Sequence, residues 1–377
     1  MNILICPDKF KGSLTAREAC TAIADGVRAI HPDVKIHTVP LADGGEGTCS
    51  LLTEWHGGEH ITVRAKGPLF SEVTARYGIS KDGLTAFIEM AEASGLMLLK
   101  PGDRNPLHTT TFGTGELIAD ALARGAANII LGIGGSATND AGIGMAAALG
   151  YVFLNAKGEI LSPIGKNLVH IHTILIDNVH PALLNSSFTA LCDVRNPLYG
   201  PDGAAFVYGP QKGADRSAVV LLDRGLQNFE KIATAKLGYD ADFPGAGAAG
   251  GLGAGAKVFL HASIRNGVGF VIESTDLVNR IQEADIVITG EGKIDSQTFS
   301  GKVVSEVARH ARDAGKPVVA VCGVCELPDE EVRRHGINEM VVLAGENTSP
   351  EWAMAHASLC IRERIGQRLE DLRRLLN

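Results

Sequence analysis

Several short polar segments of this 377-residue chain join glycines to lysines or carboxylates, the residue types that hold phosphates and metal ions. The first is Pro7-Asp8-Lys9-Phe10-Lys11-Gly12-Ser13. Lys9, Lys11 and Ser13 precede a helical pattern, where ammonium groups and N–H groups make an anion pocket. The intervening Phe10 can anchor that loop. The second segment is Ala42-Asp43-Gly44-Gly45-Glu46-Gly47-Thr48. Its carboxylates can hold Mg²⁺ or a substrate hydroxyl, or Asp43 can cap the following helix. The third is Gly132-Ile133-Gly134-Gly135-Ser136-Ala137-Thr138-Asn139-Asp140. Its glycines let backbone N–H groups close on an anion, and Ser136, Thr138 and Asn139 add donors. Further along, Asp193 ends an apolar strand before Asn196-Pro197, where it can act as a base or start a turn. Gln211-Lys212-Gly213 places one cation. In Thr289-Gly290-Glu291-Gly292-Lys293-Ile294-Asp295, two acids flank Lys293, and Gly301-Lys302 opens a later helix.

Absent signatures narrow the chemistry. The third segment fits G-x-G-x-x-[G/A], but a dinucleotide site also needs an acid ending the next strand. That region reads Phe153-Leu154-Asn155-Ala156, with no carboxylate. A phosphate site is still open; a ribose-binding NAD site is disfavoured. There is no G-x-x-x-x-G-K-[S/T], no kinase catalytic loop, no H-E-x-x-H and no G-x-S-x-G. Phosphoryl transfer needs positioning, cations around the phosphates, Mg²⁺ and a carboxylate for the hydroxyl proton. Lys11, Lys212, Lys293 and Lys302 supply the cations. Asp193 is the candidate base, because a rigid turn follows it and no lysine adjoins it. Asp43, Glu291 and Asp295 are the candidate Mg²⁺ ligands. The competing classes are a non-catalytic sensor of a small phosphorylated metabolite and a nucleotide-dependent dehydrogenase.

The elements that carry these segments read as strand, loop, helix. Asn2 to Cys6 is a β run, and Ala19, Cys20, Ile23, Val27 and Ile30 then fall at helical spacing. Thr15 and Glu18 form a capping box at that helix start. Similar units begin at Lys35, Asn128 and Asp285, with Val318 to Val321 and Glu339 to Leu343 as further strands. The alternation predicts an α/β fold with a parallel sheet, whose ligands sit at the carboxyl ends of the strands. Ile61 to Glu89 instead alternates as antiparallel strands. Tyr151 onward, Thr189 to Val194 and Ala204 to Tyr208 also read as strands, and assign a second α+β domain inserted into the first. The Gly245 to Ala256 stretch reads as an ordered loop with a tight helix start.

Glycine is about 12% of the chain, against an average near ~7%. A formal charge of −8 and 5% aromatics argue against a nucleic-acid surface. No apolar run approaches a membrane span, and the N-terminus lacks a basic signal-peptide region. The seven cysteines read as reduced thiols of a cytoplasmic enzyme. Cys322 and Cys325 form one C-x-x-C, with no second pair or local His to complete a zinc site.

Taken in order, these segments, with Cys192-Asp193-Val194, Gly209-Pro210-Gln211-Lys212-Gly213-Ala214 and Gly245-Ala246-Gly247-Ala248-Ala249-Gly250-Gly251, resemble the type I glycerate kinases across nearly the whole chain. One departure is Lys9, where that family often has Ser. The resemblance implies a flavodoxin-like α/β domain, an inserted restriction-endonuclease-like α/β domain and an active site in the cleft between them. It implies ATP, Mg²⁺ and D-glycerate as ligands, with phosphate going to the 2-hydroxyl; a 3-phosphoglycerate-forming kinase is the alternative. The expected boundaries are 1–60, 106–150 and 276–377 for the first domain, and 61–105 with 151–275 for the second. Asp193 and Lys11 are the expected catalytic residues. Lys9, Ser13, Gly44, Gly45, Gly134, Gly135, Ser136, Thr138, Asn139, Lys212, Lys293 and Lys302 are the expected substrate or phosphate ligands. No nucleic-acid or membrane partner is expected, and the oligomeric state is open.

Overall fold

The computed structural model describes residues 1–299, 301–345 and 348–375. Its strands, in chain order, are β1 (Asn2–Ile5), β2 (Lys35–Thr38), β3 (Glu59–Lys66), β4 (Glu72–Ile79), β5 (Thr85–Glu89), β6 (Asn128–Gly132) and β7 (Val152–Leu154). They continue as β8 (Thr173–Leu175), β9 (Ser187–Leu191), β10 (Ser263–Arg265), β11 (Ile286–Ile294), β12 (Val318–Cys325) and β13 (Glu339–Val342). The chain divides into two compact units, one of Met1–Asp43 with Val268–Asn377, the other of Gly44–Gly267.

The first unit holds a five-stranded sheet in the order β13-β12-β11-β1-β2, with every pairing parallel. Renumbered within the unit this is 2-1-3-4-5, the flavodoxin-like order, whose switch point lies between β1 and β11. The strands are short apolar runs, and Ile3, Ile5, Ile286, Ile288, Val319 and Val321 are buried in the core. Helix Ala16–Ile30 packs on them through Ala19, Ile23 and Val27. The capping box expected at its start is present, with Thr15 accepting from the Glu18 N–H and Glu18 accepting from the Thr15 N–H.

The second unit holds a mixed six-stranded sheet, β10-β9-β6-β5-β4-β3. β3, β4 and β5 pair antiparallel, as their alternation predicts, and β5, β6, β9 and β10 pair parallel. In register, Glu89, Gly132 and Leu191 stand side by side at the carboxyl ends. The loops after those ends build this unit's cavity.

Three expectations need correcting. Residues 44–60 and 106–150 belong to the second unit, not the first, and residues 268–275 to the first, not the second. β6 looks like another flavodoxin-type strand locally, but its hydrogen-bonding partners are β5 and β9. Ala204–Tyr208 is a helix, since a short apolar run fits either state. Thr289 to Lys293 is not a loop but part of β11, paired with β12 through Ile294.

The Gly-Ala stretch is ordered, as expected. Helix Ala248–Leu260 opens with Ala249, Gly250 and Gly251 all left-handed. At Gly250 (φ +71°) a Cβ would lie 2.0 Å from the Thr138 carbonyl oxygen. Gly250→Ala should therefore cost about 2–3 kcal/mol of stability through overpacking and backbone strain. Gly238→Ala, also left-handed but with nothing within 4 Å of its Cβ, should cost only about 1 kcal/mol. Urea midpoints measure both; equal losses would show that contact with Thr138 contributes nothing.

Candidate active site

The sequence-derived candidates gather around two cavities, one in each unit. In the first unit a cavity of about 400 Å³ opens at the β1/β11 switch point. Asp8, Lys9, Lys11, Ser13, Asp43, Glu291, Lys293, Asp295 and Lys302 all line it. Phe10, Leu343, Met354 and Ala357 form an apolar wall. Within this cavity Lys9 pairs with Asp43 at 3.6 Å, and Lys293 with Asp295 at 3.4 Å and Glu326 at 2.9 Å. Ser13 is engaged: its hydroxyl donates to the Met354 carbonyl at 2.5 Å.

Sequence reasoning missed Asp8, which is only 6% exposed. Burial, then the neighbouring Asp43 charge, pushes its carboxyl up to about 7. Its position right after an apolar strand was the available signal. Burial also pushes the Glu291 carboxyl up, partly offset by the Thr298 hydroxyl and the Lys302 charge. Glu291 Oε1 is buried without a hydrogen-bond partner. No group of three or more His, Cys, Asp or Glu side chains among the described residues is arranged to hold a metal alone. That is compatible with Mg²⁺, which usually takes one or two carboxylates and completes its shell with water and phosphate. The all-oxygen donor set and the orphaned Glu291 oxygen fit such an ion.

In the second unit a cavity of about 450 Å³ is lined by Gly44, Gly45, Gly134, Gly135, Ser136, Asp193 and Lys212. Asp193 Oδ1 accepts from Asn266 Nδ2 at 2.7 Å and from the Gly267 N–H at 2.8 Å. A Cβ on Gly44 (φ +88°) would lie 2.5 Å from Asp193 Oδ2, so only glycine lets this loop lie on the carboxylate. Glu89, which the sequence did not single out, secures the same loop by accepting from the Gly47 and Cys49 N–H groups at 2.9 and 3.0 Å. Among the described residues, nothing accepts from the N–H groups of Gly134, Gly135 or Ser136. All three residues line the cavity wall, where such N–H groups can serve an anion.

Lys212 is 2% exposed. Its Nζ donates to Ser136 Oγ and to the Thr138 carbonyl, both at 2.7 Å. Thr138 and Asn139 are fully buried and do not line the cavity. Asp140 is a brace: it accepts from the Thr111 N–H and hydroxyl and from the Gly142 and Gly144 N–H groups.

Burial holds the Lys212 amine down to about 7, with the Asp140 charge pulling the other way. In the unfolded chain lysine keeps its proton up to about 10.5. Between those values the unfolded state binds more protons, so stability rises with pH. Wild type should gain on Lys212→Met by on the order of 1 kcal/mol per pH unit from pH 7 to 9. Urea titrations at each pH measure this; a constant difference would contradict a neutral buried amine.

Comparison with known proteins identifies the family. The model of the glycerate kinase family matches residues 3–372. The chain is 46% identical over 353 residues to a glycerate kinase of Halalkalibacterium halodurans, covering 93% of each. It is 45% identical over 339 residues to the glycerate 2-kinase of Escherichia coli K12, covering 90% of this chain and 89% of that one. The crystal structure designated glycerate kinase 2 from Salmonella typhimurium LT2 superposes with a TM-score of 0.90 at 41% identity, covering 99% of this chain and 98% of that one. The chain belongs to the glycerate kinase family.

Proposed function

We propose that the protein transfers the γ-phosphoryl group of ATP to the 2-hydroxyl of D-glycerate, giving 2-phosphoglycerate, with Mg²⁺. The observation that carries this reading is the second unit's cavity, where a fixed carboxylate, a buried amine and three unused N–H groups line one space. A small hydroxy acid needs those groups: donors for its carboxylate and an acceptor for its hydroxyl proton. Asp193 is the acceptor. Its Oδ1 is held by Asn266 and Gly267, which orients the carboxylate.

ATP belongs to the first unit's cavity. The apolar wall of Phe10, Leu343, Met354 and Ala357 suits the base, and Lys11 and Lys302 suit the phosphates. Asp43, Glu291 and Asp295, with Asp8, are the residues to hold Mg²⁺. Bound there, Mg²⁺ would neutralise phosphate charge and orient the transferring group.

A coupled ADP-release assay with D-glycerate and Mg²⁺ tests the activity, and ³¹P NMR of the product separates 2- from 3-phosphoglycerate. EDTA should stop turnover. Asp193→Asn should lower kcat by about 10²–10⁴-fold, with glycerate affinity and Tm near wild type. A kcat within a few-fold of wild type would remove Asp193 from proton transfer. Lys11→Ala should raise KM for ATP and leave KM for glycerate unchanged. The reverse pattern would move the nucleotide out of the first unit's cavity.

A further inference from the structure

Lys212 has a donor count that does not suit an ammonium ion. A charged lysine carries three N–H donors, and a neutral one carries two plus a lone pair. Here two acceptors meet Nζ, Ser136 Oγ and the Thr138 carbonyl. No carboxylate among the described residues pairs with Nζ within 4 Å. A buried charge without such a partner is costly, so burial favours the neutral amine.

The charged and titratable groups around it agree. Asp140 is the one whose charge reaches Lys212, and its oxygens are already taken by Thr111, Gly142 and Gly144. Asp193 and Tyr208 bound the same cavity, with the Tyr208 hydroxyl donating to Asn196 Oδ1. The Arg104 backbone abuts Gly213, beside Lys212. Burial leaves the amine near 7, where one new neighbour can decide its charge. An incoming carboxylate supplies an acceptor for a third N–H and the opposite charge that an ammonium needs.

We propose that Lys212 reads the substrate's carboxylate and that the anion binds together with one proton, which converts the amine to an ammonium ion. The balance is simple: neutral amine, proton and carboxylate combine into an ammonium–carboxylate pair, and no covalent bond changes. This rests on the reading of the second unit's cavity as the glycerate site and adds a selection rule to it. A neutral polyol such as glycerol brings neither the charge nor the acceptor, so it gains nothing from Lys212.

Calorimetric titration of the full chain with D-glycerate in Tris and in HEPES measures the protons exchanged. At pH 8 the uptake should be about 0.9 proton per glycerate, falling to roughly 0.1 at pH 6. Without any substitution, the glycerate Kd should rise about tenfold per pH unit above pH 7. Lys212→Met should lose the uptake. Glycolate, a hydroxy acid that does not titrate in this range, serves as a second probe. Glycerate binding without uptake at pH 8 and with a flat Kd from pH 7 to 9 would overturn the proposal while leaving the glycerate site intact. Unchanged uptake in Lys212→Met would do the same. Glycolate binding with uptake, without binding of glycerate, would uphold the role of Lys212 and remove glycerate as the substrate. Binding of neither would overturn both.

Discussion

The second unit's site depends on one buried amine bonded to one backbone carbonyl. Lys212 reaches across 74 residues of sequence to the Thr138 oxygen, and Gly250 leaves that oxygen room. An unpaired carbonyl at this depth would cost about 1–3 kcal/mol, so the lysine is also a structural plug. Around it the Gly132–Asp140 turn takes a shape in which Asp140 ties Thr111 to the start of helix Ile143–Ala148. The Gly134, Gly135 and Ser136 N–H groups are then left to the cavity. A residue that closes the turn and faces the ligand couples the two: what changes its charge also changes the loop's hydrogen bonds.

The first unit solves a different problem with sheet topology. The strand order places the loops after β1 and β11 at one switch point. β11 extends to Ile294 and carries Glu291 and Lys293 on a strand rather than a mobile loop. In the loop after β1, burial raises the Asp8 carboxyl and the neighbouring Asp43 charge adds to it.

Local chemistry was legible in the sequence and long-range pairing was not. The Thr15–Glu18 capping box and the antiparallel β3–β5 run depend on near neighbours, and each stands where the pattern puts it, whereas the glycine segment Thr289–Lys293 lies inside β11 rather than after it. The partners of β6 are set by hydrogen bonds to strands some 40 to 60 residues away, which local pattern does not encode. Thr138 and Asn139 looked like ligand donors because polar residues beside glycines usually face solvent; tight packing under Gly165 and Gly250 buries them instead. Lys212 was legible as a cation for the site, but its burial against Ser136 and Thr138 was not, since that meeting exists only after folding.

The most direct test of the account is a crystal structure with D-glycerate bound. The account places the glycerate carboxylate within hydrogen-bond reach of Lys212 Nζ and the Gly134–Ser136 N–H groups, with the 2-hydroxyl facing Asp193. Glycerate seated among the acids and lysines of the first unit, with Lys212 still bonded only to Ser136 and Thr138, would contradict it.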